Sequence, residues 1–152
     1  MHAIEFLRQP VDGEPSRVYA LYGDDEYLRS ESERLIVRLA LGPDADDFAV
    51  ARLSGDQAGL ADVLDELHTL PFLARRRVVV VEDADAFVTA HRAALEQYMA
   101  HLAERGVLVL SVRSWPSNTR LAKLVAKEGL AVECKTPPER ELPRWLVELA
   151  YT

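Results

Sequence analysis

Short, nearly continuous apolar runs alternate along this chain with segments in which apolar residues return every three or four positions. The first rhythm suits strands buried on both faces, the second helices with one covered side. Arg17–Tyr22 (RVYALY) is a short β-prone run ending at Gly23. A helix is predicted from Asp25 to about Ala40, with Leu28, Leu35, Ile36 and Leu39 on one stripe and Asp24 as N-cap. Phe48–Leu53 alternates as a second strand, and Leu60, Val63, Leu64 and Leu67 keep the i, i+3, i+4, i+7 spacing of an amphipathic helix. Arg77–Val81 (RVVVV) reads as a third strand, apolar and β-branched throughout. The helix predicted over Ala84–Ala103 aligns Phe87, Val88, His91, Leu95, Tyr98, Met99 and Leu102. Val107–Val112 is a fourth strand; Ser117 or Asn118 caps a helix bearing Leu121, Leu124 and Val125 that stops at Gly129. Leu130–Cys134 is a fifth strand. Pro137 and Pro138 then break the chain, and Pro143 suits the first turn of a last helix with Trp145, Leu146 and Leu149.

Strands alternating with helices imply an α/β fold: a three-layer, doubly wound, parallel five-stranded sheet. Residues 1–136 form one domain in this reading, and 137–152 begin a separate helix that is cut short. Trp145 has little to pack against in so short a tail, so a further domain is expected beyond it.

Composition narrows the function. Apolar residues make up 49% and charged residues 28% of 152, ordinary for one globular domain. Eighteen Lys and Arg against 25 Asp and Glu leave a net charge of −7, which argues against a domain held mainly by phosphate backbones. Arg113, Arg120, Lys123 and Lys127 still gather near the fourth strand end, either as a solvated face or as a contact for nucleic acid or an acidic partner. Cys134 is the only cysteine, which excludes a disulfide framework and a thiolate metal cluster; it reads as a small buried hydrophobe. The opening MHAIEFLRQPVDGEPS carries Glu5, Asp12 and Glu14 and no long apolar core, so neither a signal peptide nor a membrane span is expected. A cytoplasmic monomer is the expectation.

In open α/β sheets ligands bind outside the carboxyl ends of the strands. The first such end is Tyr22-Gly23-Asp24-Asp25-Glu26, which lacks the glycines, lysine and hydroxyl of a phosphate-binding loop. Its three carboxylates occupy a helix start that would otherwise attract an anion, so ATP is disfavoured there. Glu82-Asp83 after the third strand resembles the magnesium-holding strand of nucleotide hydrolases, but without a phosphate cradle Asp83 reads as the cap of the next helix. Asp24, Asp25, Asp83, Ser114 and Lys135 follow strand ends in the order of a phospho-accepting receiver domain of two-component signalling, with a wider gap between Asp25 and Asp83. That is the alternative function. His91 lies on an apolar stripe without a second ligand at i+4, and His68 and His101 are likewise single. No catalytic, cofactor or metal residues are assigned.

One connector breaks the pattern. Thr69–Val81 (TLPFLARRRVVVV) crowds a proline, two bulky apolar residues and three arginines between a helix and a strand. Connectors run over the surface and are mostly polar. By residue type alone Phe72 and Leu73 suit a core slightly better than an interface. Leu70 extends the Leu60–Leu67 stripe by a turn, however, and the valine strand supplies its own core, which leaves the pair as surplus. Burial against a partner would gain roughly 4–6 kcal/mol gross, with Arg75, Arg76 and Arg77 as a polar rim.

Three segments carry a family resemblance: VYALYGDDEYLRSESERL at Val18–Leu35, TLPFLARRRVVVVEDAD at Thr69–Asp85, and VECKTPPERELPRWLVELA at Val132–Ala150. Together they resemble, in order and across essentially the whole chain, the N-terminal domain of the delta subunit of the bacterial DNA polymerase III clamp loader. The resemblance implies an AAA+-like (P-loop-like) core that has lost nucleotide binding and needs no cofactor. It implies a non-catalytic component of the polymerase holoenzyme in DNA replication. An apolar pair at a helix tip would wedge into a pocket of the sliding clamp (the beta subunit) and favour its open form for loading onto primed DNA. By that resemblance the clamp-binding residues are Phe72 and Leu73, supported by Leu70, Pro71, Arg75, Arg76 and Arg77. The delta-prime and gamma/tau subunits would be met through C-terminal lid and collar domains, and primed DNA only within the full complex.

Overall fold

A computed structural model describes residues 1–9, 14–43, 47–71 and 74–136. The helix expected after Pro143 lies outside them, as do Phe72 and Leu73. Five strands, β1 (Val18–Tyr22), β2 (Val50–Ser54), β3 (Arg77–Glu82), β4 (Gly106–Val112) and β5 (Leu130–Glu133), form one sheet in the order β2-β3-β4-β1-β5. Every pairing is parallel. Helices α1 (Ala3–Leu7), α2 (Glu26–Leu41), α3 (Leu60–His68), α4 (Asp85–Ala100) and α5 (Arg120–Glu128) cover it.

Because side chains alternate across a strand, each run divides between two cores. Val79, Val81, Leu108 and Leu110 pack with Val63 and Leu67 of α3, Phe87 and Leu95 of α4, and Leu121 and Val125 of α5. Val78, Val80, Val107 and Val109 pack on the opposite face with Ile4 and Phe6 of α1 and Leu28, Leu35 and Ile36 of α2. Val78 through Val81 are all fully buried, as an unbroken valine run should be in a sheet covered on both sides. The expected three-layer doubly wound architecture is therefore present.

Local details depart from the sequence reading. Asp25, not Asp24, caps α2: its Oδ1 accepts the Leu28 N–H at 3.0 Å. Thr119, not Ser117 or Asn118, caps α5 through its Oγ1, which accepts the Ala122 N–H at 3.1 Å. Asp83 caps nothing; it turns the chain with φ +50°, and α4 starts at Asp85, running to Ala100 rather than Ala103. The Asp85 carboxylate instead accepts the backbone N–H groups of Arg113 and Ser114 at 3.0 and 3.1 Å, tying α4 to the end of β4. β2 begins at Val50, and Phe48 sits in a 3₁₀ turn (Asp47–Ala49), 87% exposed. α1 was not foreseen; the His2 ring accepts the Ile4 N–H at 3.1 Å and starts it.

The sheet order also removes the receiver alternative. Receiver-type sheets run 2-1-3-4-5, which sets the ends of strands one and three side by side. Here β4 stands between β1 and β3, so Asp83 cannot join Asp24 and Asp25 in one acidic cradle.

Candidate functional site

The connector of interest leaves α3 at the amino-terminal edge of the sheet. Val63 and Leu67 are buried, and two side chains then close the helix on its own last carbonyls. Thr69 Oγ1 donates to Asp65 O at 2.7 Å, and His68 Nδ1 lies 2.8 Å from Leu64 O. Thr69 is extended (φ −68°, ψ 125°), and Pro71 discourages helical backbone at the residue before it. Leu70 therefore does not continue the α3 stripe. It stands 82% exposed, beside a half-buried Pro71.

The returning end is fastened by two arginines. Arg76 Nη1 donates to Ala40 O, near the C-terminus of α2, at 3.1 Å, and its Nη2 meets Glu14 Oε2 at 2.6 Å. Arg77 donates through Nε to Glu66 Oε2 of α3 at 3.1 Å, again to Glu66 through Nη2, and through Nη1 to the Phe48 carbonyl. Both limbs of the connector are thus joined at their base by one guanidinium and one carboxylate. Of the three connector arginines, Arg76 and Arg77 are bonded to other segments of the domain, and Arg75 is exposed. Arg17, Arg75, Arg76 and Arg105, with Glu14 and Glu104, line an open cleft of about 580 Å³ along the same edge.

At the opposite edge, the turn after β1 is filled from within. Gly23 has φ +136° and donates its N–H to Val112 O at 3.2 Å; a Cβ there would lie 2.2 Å from the Cys134 carbonyl oxygen. Asp25 donates its N–H to Cys134 O at 3.0 Å, caps α2 with Oδ1, and accepts the Thr136 hydroxyl on Oδ2 at 2.5 Å. The helix start that would cradle a phosphate already holds a carboxylate, with Asp24 and Glu26 exposed beside it. Arg29, one turn along, is buried, and its Nη1 reaches Ser111 Oγ only at 3.4 Å. Cys134 lies behind the turn, fully buried, and burial pushes its thiol up to about 11.

Among the described residues no group of three or more His, Cys, Asp and Glu could hold a metal ion, and no helix is long and apolar enough to cross a membrane. His91 rests against Phe87, ring centres 4.9 Å apart, with non-helical backbone at that point of α4. Arg120, Lys123 and Lys127 form an exposed face of α5. Sequence reasoning missed Asp85 and Arg29; only Asp85 left a signal, an acid two places beyond Asp83.

The model of the DNA polymerase III delta subunit family matches residues 19–135. DNA polymerase III subunit delta of Bacillus subtilis (strain 168) is 27% identical over 151 residues, covering 92% of this chain and 43% of its own length. The solved structure of the Bacillus subtilis DNA clamp loader delta protein superposes with a TM-score of 0.77 at 26% identity, over 98% of this chain and 46% of that one. A DNA polymerase III gamma subunit-related protein of Thermotoga maritima gives a TM-score of 0.58 at 18% identity, over 99% and 53%, which shows a shared fold alone. The chain spans less than half the length of the Bacillus subtilis proteins.

Proposed function

This chain belongs to the DNA polymerase III delta subunit family of DNA replication, and on that premise we propose that it is the domain that grips the sliding clamp and helps open it for loading onto primed DNA. Phe72 and Leu73 act as the anchors, with Leu70 and Pro71 beside them. The observation that supports this most is Leu70: a large apolar side chain, 82% exposed, on a connector whose two limbs are clasped by Arg77 and Glu66. A fixed stem lowers the ordering cost of binding, and apolar side chains buried in a partner's pocket carry much of the energy of a small interface. Arg75 remains for the polar rim, whereas Arg76 and Arg77 support the stem.

The domain performs no catalysis of its own in this reading. Energy for clamp opening comes from ATP bound by partner subunits of the gamma/tau type, met with delta-prime through regions beyond this domain, in the cytoplasm. What supports the division of labour is the self-capped, acidic α2 start, which opposes phosphate.

Titration of the chain with the sliding clamp tests the proposal. Phe72→Ala with Leu73→Ala should weaken binding by more than ~100-fold, since burial of both is worth roughly 4–6 kcal/mol, while the melting temperature holds. Unchanged binding would reject the assignment, and so would unfolding of the double variant, because anchors are not core.

A further inference from the structure

The cleft at the amino-terminal edge carries more positive charge than the domain itself neutralises. Arg17, Arg105 and Arg76 each stand one residue before a strand, β1, β4 and β3 in turn, and these three strands are neighbours in the sheet. Val18 lies opposite Leu108, and Arg77 opposite Gly106. Spacings of ~4.8 Å between strands and ~3.3 Å along them then put the three Cα atoms within about 12 Å of one another. Their main chain is fixed as well: Arg105 O accepts the Arg77 N–H at 2.8 Å, and Arg17 O accepts the Leu108 N–H at 2.9 Å. Arg76 and Glu14 neutralise each other. Arg17, Arg75 and Arg105 are exposed and form no ion pair among the described residues, which leaves three cations against Glu104 in about 580 Å³. That surplus stands on a chain of net charge −7. Like charges held at fixed positions repel one another, a cost that an anionic occupant removes.

We propose that this cleft is a docking site for an acidic segment of a partner protein, which presents two or three carboxylates to Arg17, Arg75 and Arg105. The inference goes beyond the clamp-binding reading and uses no apolar residue of the connector. The cations lining the cleft are all arginines, whose planar forks pair bidentately with carboxylates and phosphates. Carboxylates are favoured over a nucleic acid for two reasons. Glu104 stands among the arginines and opposes a continuous phosphate backbone, and among the described residues no aromatic side chain lines the cleft to stack a base.

Fluorescence anisotropy of a labelled hexaglutamate peptide, titrated with the chain at low ionic strength, tests the proposal. Arg17→Gln with Arg105→Gln removes two guanidinium groups and keeps both main-chain bonds. Its melting temperature should hold while peptide affinity falls roughly 5–30-fold. Arg120→Gln with Lys123→Gln removes the same charge from the exposed face of α5 and should leave affinity within about twofold. Glu104→Gln should tighten binding roughly 2–5-fold, a gain that unfolding cannot mimic. No binding of the peptide, an equal loss from the α5 variant, or weaker binding by Glu104→Gln would overturn the proposal. A thymidine hexanucleotide that binds more tightly than the peptide, and through Arg17 and Arg105, would assign the cleft to nucleic acid and overturn it too.

Discussion

Cutting the clasp at the base of the connector has a calculable cost. Arg77 Nε and Nη2 converge on Glu66 Oε2, with side chains 17% and 36% exposed. Fully exposed pairs are worth about 0.2–1 kcal/mol, and shielded hydrogen bonds to charged groups about 1.5–3 kcal/mol. This half-shielded pair, with Glu66 discounted for its exposure, should couple by about 1 kcal/mol in a double-mutant cycle of Arg77→Ala and Glu66→Ala. Arg77→Ala also forfeits the bond to the Phe48 carbonyl, which brings its total to about 2 kcal/mol. For a chain of this size, each kcal/mol lowers the melting temperature by about 2–4 °C, so a fall of roughly 4–8 °C is expected. Calorimetry of the four proteins gives the coupling. Hydrogen exchange locates it, with the Thr69 amide, which donates to Glu66 O at 3.3 Å, opening faster while β3 stays protected. A coupling under ~0.3 kcal/mol, or unchanged exchange at Thr69, would refute the view that this pair holds the connector's stem.

Two further outcomes test the carboxyl-terminal edge. Gly23→Ala places a Cβ 2.2 Å from the Cys134 carbonyl at φ +136°, so urea denaturation should show a loss of roughly 3 kcal/mol or more; a loss under ~1 kcal/mol would show that the turn yields. Cys134 starts from an ordinary value of 9.0 and is raised to about 11 by burial, so between those values only the unfolded chain gives up the proton. Stability should then fall by ~1.4 kcal/mol per pH unit, about 2–3 kcal/mol over the window, with no effect below pH ~9. Tyr19 and Tyr98, also raised by burial, add a loss in the same direction at the top of that range, so the difference from Cys134→Ala isolates the thiol. Identical slopes in both proteins would rule it out.

The fold class was legible because its signal is repeated and local. Four successive valines can only be hidden by cover on both faces, and the stripes of α3, α4 and α5 name the side each helix presents. Caps were legible only to within a residue or two. Asp24 and Asp25 are chemically identical, and the direction of the chain leaving Gly23 decides which carboxylate meets the Leu28 N–H. Asp83 and Asp85 differ in the same way: amides from Arg113 and Ser114, remote in sequence, reward the second. Phe48 misled because alternation continued one turn past the true strand start, and Leu70 because a helical stripe carries no mark of where Thr69 ends it.

The amino-acid order alone determined five strands, the helices between them, the acidic turn that repels phosphate and the unusual connector with its apolar residues. Only tertiary structure decided that β4 separates β1 from β3 and that two of the three connector arginines are tied inward. The reason is one of range. Periodicity and residue chemistry act over a few bonds and can be read along the chain. Strand order and the partner of a guanidinium depend on which distant segments pack together, and that selection is made by the whole core at once.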